Sequence, residues 1–132
     1  MAGDQAISLV PDALTRWRSG GFDGIECSLV QAPDSVVAPL MDAYRVEADP
    51  RVRQAIVFTL WQRRSLAIVP FLEVALRDRD RRVWQEGLDG LVALGSPAAR
   101  AALVAARNVG LAGKQRPWID EAIEQLDEPH AS

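Results

Sequence analysis

One unit of sequence is present twice in this chain, with the second copy 31 residues after the first. The first copy begins at Asp49 and the second at Asp80. Identical residues coincide after the shift at Asp49/Asp80, Arg51/Arg82, Val52/Val83, Gln54/Gln85, Leu60/Leu91, Leu72/Leu103 and Ala75/Ala106. A repeat of this length, with apolar residues at helical spacing, is typical of helix pairs that stack side by side. The sequence therefore predicts an all-α fold, a short right-handed α-solenoid of antiparallel helix pairs.

Capping residues and prolines mark where the helices of this array begin and end. Asp49 is expected to cap a helix whose first residue is Pro50, and Asp80 to cap the equivalent helix. The run Gly95-Ser96-Pro97 combines a glycine that ends one helix with a cap and a proline that start the next. We place one domain at 1–132, repeats at about 18–48, 49–79 and 80–110, and a terminal capping helix at 114–127.

The first third of the chain is the least regular. A short helix is predicted over Pro11–Trp17, broken by the Ser19-Gly20-Gly21 run. A second short helix is predicted over Ile25–Gln31. It would be a degenerate first helix of an extra repeat, because Leu29 lies 31 residues before Leu60.

A helix start is also expected after Pro33, with Asp34 as its cap. This helix can turn either Leu40 and Tyr44 or Met41 and Arg45 toward the core. We prefer the first pair, because it buries more apolar surface, although it requires one extra residue before Val52.

Three short motifs carry a resemblance to a known family. They are Asp-x-x-Val-Arg from Asp49 to Arg53, Leu-x-x-x-Leu at Leu72 and Leu76, and Leu-Gly-Ser-Pro-Ala-Ala at 94–99. On these motifs, residues 34–126 resemble the HEAT-like repeats of phycobilisome-lyase-type proteins. The resemblance implies a HEAT-like or armadillo-type solenoid in which the motif arginine pairs with an aspartate of a neighbouring repeat.

The second copy departs from the family motif. Trp84 stands where the family pattern has arginine. The pairing that the resemblance implies therefore carries over to Asp49 and Arg53 only.

Residues suited to catalysis or metal binding are scarce. Cys27 is the only cysteine and His130 the only histidine, and His130 lies in the last few residues. No glycine-rich phosphate loop is present. We therefore expect no catalytic residue, no metal and no cofactor. No apolar run approaches the ~20 residues that a membrane span requires, so we expect a cytoplasmic protein without membrane contact.

Charge is unevenly spread along the chain. The net charge is −3, but residues 45–82 hold nine arginines and five acids, a local excess of +4. Acids alternate with arginines between Arg77 and Arg82, which weakens any continuous positive field. We therefore expect no nucleic-acid partner, and interpret the alternation as helix caps and ion pairs between repeats.

Two groups of residues are candidates for binding a protein partner. Trp61 lies next to Arg63 and Arg64 at the predicted turn within a repeat, and Trp and Arg dominate interface hot spots. The alternative is that Trp61 packs beneath the turn. The second helices of stacked pairs line the concave side of a solenoid, where Asp42, Glu73 and Arg77 should point.

The function predicted from these features is non-catalytic binding of another protein on the concave helix face. An immunity or inhibitor protein and a scaffold are both versions of this function. The family resemblance leaves open a chromophore-lyase-like accessory subunit. A nucleic-acid-binding HEAT-like protein is a further alternative. The sequence does not identify the partner or the oligomeric state.

Overall fold

Helices account for most of the part of the chain that the structure, a computed structural model, describes: residues 2–21, 29–108 and 114–127. The α-helices are α1 (Ala2–Arg18), α2 (Val37–Val46), α3 (Pro50–Gln62), α4 (Val69–Leu76), α5 (Arg81–Leu94), α6 (Pro97–Asn108) and α7 (Arg116–Asp127). Short 3₁₀ turns at Asp34–Val36 and Leu66–Ile68 lead into α2 and α4. No strand occurs in these ranges, and the predicted all-α solenoid is confirmed.

The repeated sequence unit produces repeated helix starts. The carboxylates of Asp49 and Asp80 each accept a hydrogen bond of 2.9 Å from the backbone N–H two residues later, so both predicted caps are confirmed. Gly95 follows α5 with φ 58°, and the Ser96 hydroxyl accepts a hydrogen bond from the Ala99 N–H at 3.1 Å. These contacts satisfy backbone groups that helix ends leave without partners.

The helices pack in two layers. α3 lies against α5, α4 lies against both α5 and α6, and α7 covers α5 and α6. The core between them is formed by fully buried aliphatic side chains: Ile56, Leu60, Leu72, Leu76, Leu91 and Leu103. Each such side chain contributes about 1.5–3 kcal/mol relative to an exposed one, so the main stabilisation comes from contacts between neighbouring repeats.

The register of α2 follows the preferred alternative. Leu40 is fully buried and Tyr44 is 7% exposed, whereas Arg45 is exposed. Leu40 and Leu72 are 32 residues apart. The extra residue therefore lies between Arg45 and Glu47, at the C-terminal end of α2.

The N-terminal helix is longer than predicted. The expected helix over Pro11–Trp17 is part of α1, which passes through Pro11 without ending. A proline inside a helix costs about 3 kcal/mol, but the stripe Val10, Ala13 and Trp17 is buried against the core and offsets that cost. The burial of these side chains thus keeps the helix continuous through Pro11.

The predicted second helix can be followed only in part. Residues 25–28 lie outside the described ranges, whereas residues 29–31 are helical and Leu29 is buried. The expected cap at Asp34 is wrong, because its side chain makes no capping hydrogen bond. Its carboxylate instead accepts a hydrogen bond of 2.7 Å from Arg63 Nη2.

Candidate functional site

The exposed side of α2, α4 and α6 carries short side chains at equivalent positions. Ala38, Pro70 and Ala101 occupy equivalent positions on the three helices, and so do Asp42, Val74 and Ala105. All six residues are exposed. α4 and α6 pack side by side. We call the surface formed by these six residues the α2–α4–α6 face.

Two large apolar side chains are exposed on α4 and in the 3₁₀ turn that precedes it. Val74 is 54% exposed, and Leu66, just before α4, is 59% exposed. Single exposed apolar residues are ordinary on a protein surface. Here, however, Pro70 and Val74 of α4 recur as Ala101 and Ala105 of α6, so these two adjacent helices expose short side chains at equivalent positions.

The predicted concave-face residues lie on α2 and at α4. Asp42 is exposed and makes an exposed ion pair of 3.4 Å with Arg45. Glu73 is half-buried, and Arg77 is exposed directly after the last residue of α4. Asp42 belongs to the α2–α4–α6 face, and the other two residues border it.

Trp61 belongs to a different surface, between α3 and α5. Its Nε1–H donates to Glu86 Oε2 at 2.9 Å, and its ring makes an edge contact with Phe58. The guanidinium of Arg64 lies 5.2 Å from the centre of the ring. The ring packs closely over Gly90, so Trp61 is half-buried between repeats.

Arg63 and Arg64 point toward opposite neighbours. Arg63 Nη1 donates to the carbonyls of Leu29 and Ala32 at 2.7 and 2.8 Å, at the end of the preceding helical segment. Arg64 Nη1 donates to the carbonyl of Ala93 at 3.0 Å, near the end of α5. The two arginines thus connect the α3–α4 turn to the elements on either side of it. Of the three residues predicted to act together at this turn, only Trp61 and Arg64 are in contact.

A charged network joins the ends of α2 and α4. Asp78 accepts hydrogen bonds from Tyr44 Oη at 2.6 Å and from Arg53 Nε at 3.0 Å, and from the backbone N–H of Asp80 at 2.9 Å. Arg53 also donates to the carbonyls of Glu47 and Ala48. The arginine of the repeat motif therefore pairs with Asp78 at the end of its own predicted repeat, 49–79, and not with an aspartate of a neighbouring repeat.

The pairing implied for Asp49 needs correction. Its carboxylate contacts Arg51 of its own helix, with Oδ2 3.1 Å from Arg51 Nη2. Asp49 is occupied as a helix cap, so its oxygens face the first turn of α3. The acids that recur with the repeat are instead those two residues before each cap, Glu47 and Asp78, which are 31 residues apart. Each accepts a hydrogen bond from the backbone N–H two residues later. We call this pair of recurring acids the ladder.

The network shifts the ionisation of its members. Burial favours the neutral form of Asp78, but the hydrogen bonds from Tyr44, Asp80 and Arg53 outweigh it and hold the pKa of Asp78 below its usual value. Burial and the adjacent Asp78 carboxylate raise the pKa of Tyr44 well above its ordinary range. Asp78 is therefore an ionised acceptor at neutral pH, and Tyr44 is a neutral donor.

An open cleft of about 690 Å³ lies over this network. We call it the junction cleft, because it is formed by the α2–α3 and α4–α5 connections. Its lining contains four arginines and three acids: Arg45, Arg53, Arg77, Arg79, Glu47, Asp78 and Asp80. Tyr44 and Pro50 contribute apolar surface to it.

Comparison with known families settles the relationship of this chain. The family profile for HEAT repeats matches residues 37–114, more than half of the sequence. The chain belongs to the HEAT repeat family. No curated protein and no solved structure matches it. HEAT repeats are commonly protein-interaction modules, and the family is generally a non-catalytic fold. The likeness to lyase-type members stays a prediction.

The remaining tryptophans of this HEAT repeat protein lie near helix starts or in the core. Trp17 is fully buried and Trp84 nearly so. Trp118 is 41% exposed on α7, where its ring makes an edge contact with Trp84 and faces the guanidinium of Arg81. These contacts attach the terminal helix to the repeat before it.

The described ranges contain neither a metal-ligand cluster nor a membrane-spanning helix. Within them, no group of three or more His, Cys, Asp or Glu side chains could hold a metal ion. Cys27 and His130 lie outside these ranges. No helix in the same ranges is long and apolar enough to cross a membrane.

Two features of the described surface were not predicted, although the repeat contains a signal for both. Glu47 and Asp78 coincide under the same shift that pairs Asp49 with Asp80, and this recurring acid signals the ladder. The short side chains of the α2–α4–α6 face recur under the same shift between α4 and α6, and under a shift of 32 between α2 and α4. Tyr44 carried no such signal, because its repeat equivalent is Leu76.

Proposed function

We propose that this HEAT repeat protein is a non-catalytic interaction module that binds another protein on its α2–α4–α6 face. The observation that supports this proposal is the recurrence of exposed Pro70 and Val74 on α4 as Ala101 and Ala105 on α6. Scaffold and inhibitor roles would both use such a surface.

The small size of these residues favours association. Alanine and proline lose almost no side-chain entropy when they are buried, whereas lysine or glutamate would lose up to about 2 kcal/mol each. A surface without long side chains also lets a partner's backbone or large side chains approach closely. Burial of this apolar surface would supply the driving force for binding.

The predicted polar residues have distinct roles in this proposal. Asp42, Glu73 and Arg77 contact the partner directly at the face and along its border. Trp61 and Arg64 form a second contact at the rim, where the Arg64 side chain is exposed. Arg63 holds the turn in position through its contacts with the preceding segment.

Photo-crosslinking from single positions tests the proposal. The photoreactive residue p-benzoylphenylalanine replaces Val74 or Ala105 in the full chain, which is expressed in its native cells and irradiated. We expect both positions to capture the same protein, because equivalent residues of α4 and α6 lie on one surface. The same replacement at Arg51, which is exposed on α3, is the control and should not capture it.

Two further measurements define what would overturn the proposal. Capture of the same proteins from Arg51, or no capture from either Val74 or Ala105, contradicts a specific protein-binding face. Purified chain that retains a bilin absorbance, or that shifts a DNA fragment more strongly than it captures any protein, would instead favour one of the other function classes.

A further inference from the structure

The acids of the junction cleft are all engaged by groups of the same chain. Glu47 Oε1 accepts hydrogen bonds from Arg18 Nε and Nη2 at 2.9 and 2.7 Å. Asp78 is held by the three donors described above. The carboxylate of Asp80 caps α5 and lies 3.4 Å from Arg82 Nε. Their negative charge is therefore largely compensated before any ligand arrives.

The arginines at the edge of the junction cleft are in the opposite situation. Arg77 and Arg79 are exposed, and neither forms an ion pair with any residue in the described ranges. Arg45, the repeat equivalent of Arg77, makes only the exposed contact with Asp42. Exposed pairs of this kind contribute little, so three guanidinium groups remain available for an external anion.

The junction cleft is continuous with the α2–α4–α6 face. Pro70, Val74 and Arg77 follow one another at spacings of four and three residues. Residues at these spacings lie on the same side of a helix, and all three are exposed. A partner that covers Val74 therefore reaches Arg77 at the edge of the cleft.

We propose that the junction cleft binds a carboxylate-bearing segment of the protein partner, through Arg45, Arg77 and Arg79. This inference rests on the proposed function and adds the chemistry of the partner: acidic residues adjacent to an apolar surface. The planar guanidinium group matches a carboxylate with two parallel hydrogen bonds. The recurrence of Arg45 and Arg77 on successive repeats suits more than one carboxylate along the segment.

The acids beside these arginines select against a continuous polyanion. Nucleic acid carries closely spaced phosphates, and its binding requires an uninterrupted positive surface. Glu47, Asp78 and Asp80 lie within the same cleft, and the whole chain has a net charge of −3. Because these acids are already paired within the chain, the cleft alternates exposed arginines with neutral pairs. Discrete carboxylates can approach single arginines, whereas a continuous phosphate backbone would cross stretches that offer no attraction.

An NMR titration with a short peptide that carries two glutamates separated by apolar residues tests this inference on the full chain. At about 0.01 M ionic strength, where exposed charges are weakly screened, the peptide should shift the Nε–Hε signals of Arg77 and Arg79. The double substitution Arg77→Gln and Arg79→Gln should weaken binding about tenfold, because two exposed charge contacts together are worth roughly 1.4 kcal/mol. The control variant, Arg100→Gln with Arg116→Gln, removes the same charge outside the cleft. The dissociation constant of the peptide for this variant should stay within about twofold of that for the unmodified chain, a change smaller than the loss of one exposed charge contact.

Three outcomes would overturn the inference. The first is that the peptide shifts no signal of Arg77 or Arg79. The second is that the control variant weakens binding as much as the cleft variant. The third is that a single-stranded DNA of equal charge binds more tightly through the same arginines. Crosslinking from Val74 separates this failure from failure of the proposed function. If the Arg77→Gln/Arg79→Gln chain captures the partner undiminished, the face binds a protein but the cleft does not select an acidic one.

Discussion

Gly90 lies directly beneath the indole ring of Trp61, so closely that a Cβ atom on Gly90 would come within 2.8 Å of Trp61 Cγ. The contact is made by the inner part of the indole side chain, which cannot move away without separating α3 from α5. These two helices form the largest contact between the repeats. The absence of a side chain at position 90 therefore sets the spacing of the array.

Substitution of Gly90 by alanine should destabilise the protein by about 1–2 kcal/mol. Overpacking typically costs 1–3 kcal/mol, and the better helix propensity of alanine returns up to about 1 kcal/mol. Urea unfolding measures the net effect. In a Trp61→Gly background all the side-chain atoms that clash are absent, so the same substitution should become neutral or stabilising. An equal loss of stability in both backgrounds would contradict the role assigned to the contact.

The left-handed backbone at Arg64 gives a second prediction. Arg64 has φ 59° and its repeat equivalent, Gly95, has φ 58°. A residue with a side chain costs roughly 1–2 kcal/mol in this conformation. Arg64→Gly and Arg64→Ala both lose the contacts with Ala93 and Trp61, but only glycine relieves the strain. The glycine variant should therefore unfold at higher urea, with a free energy about 1 kcal/mol above that of the alanine variant.

The comparison has a matched control within α5. Asp89 is exposed in the middle of that helix, where glycine is about 1 kcal/mol less favourable than alanine. The order of stability should therefore reverse, with Asp89→Ala more stable than Asp89→Gly. The same order at positions 64 and 89 would show that φ at Arg64 carries no cost.

The carbonyl contacts of Arg63 predict a local effect on the N-terminal part. Arg63→Ala leaves the carbonyls of Leu29 and Ala32 without their donor, and an unsatisfied buried polar group costs about 1–3 kcal/mol. Hydrogen–deuterium exchange should therefore accelerate in α1 and in residues 29–36, while α6 and α7 keep their protection. Arg63→Lys should restore little, because an ammonium group cannot reproduce the guanidinium fork.

An exposed arginine provides the control for this measurement. Arg100 pairs with Asp127 on the surface, with both side chains about half exposed. Arg100→Ala should leave exchange in residues 29–36 unchanged. Uniform acceleration along the whole chain in Arg63→Ala would indicate a global loss of stability rather than a local anchor.

The repeat predicted the array more completely than it predicted the site. The caps at Asp49 and Asp80 and the buried pair Leu40 and Tyr44 follow from local chemistry and periodicity, and these were right. α1 could not be predicted, because the penalty at Pro11 is local whereas the burial of Trp17 that offsets it is tertiary. The separation of Arg63 from Arg64 is equally a consequence of packing, since adjacent identical residues carry no signal of the neighbour that each one faces.

The ionised Asp78 makes stability depend on pH in a defined window. The pKa of Asp78 is lower in the folded chain than its usual value, which is about 3.9 in an unfolded chain. The contribution of Asp78 to the free energy of unfolding is therefore complete above that value and is lost as pH falls through the lower folded pKa.

Asp78→Asn should cost about 2–3 kcal/mol at pH ~7, because Arg53 and Tyr44 lose a charged, mostly buried acceptor. Urea unfolding should show this difference shrinking below pH ~4. Asp42→Asn, which removes an exposed acid, should cost less than about 0.5 kcal/mol at either pH. A difference between wild type and Asp78→Asn that stays constant down to pH ~2 would show that the carboxylate charge is not what holds the junction together.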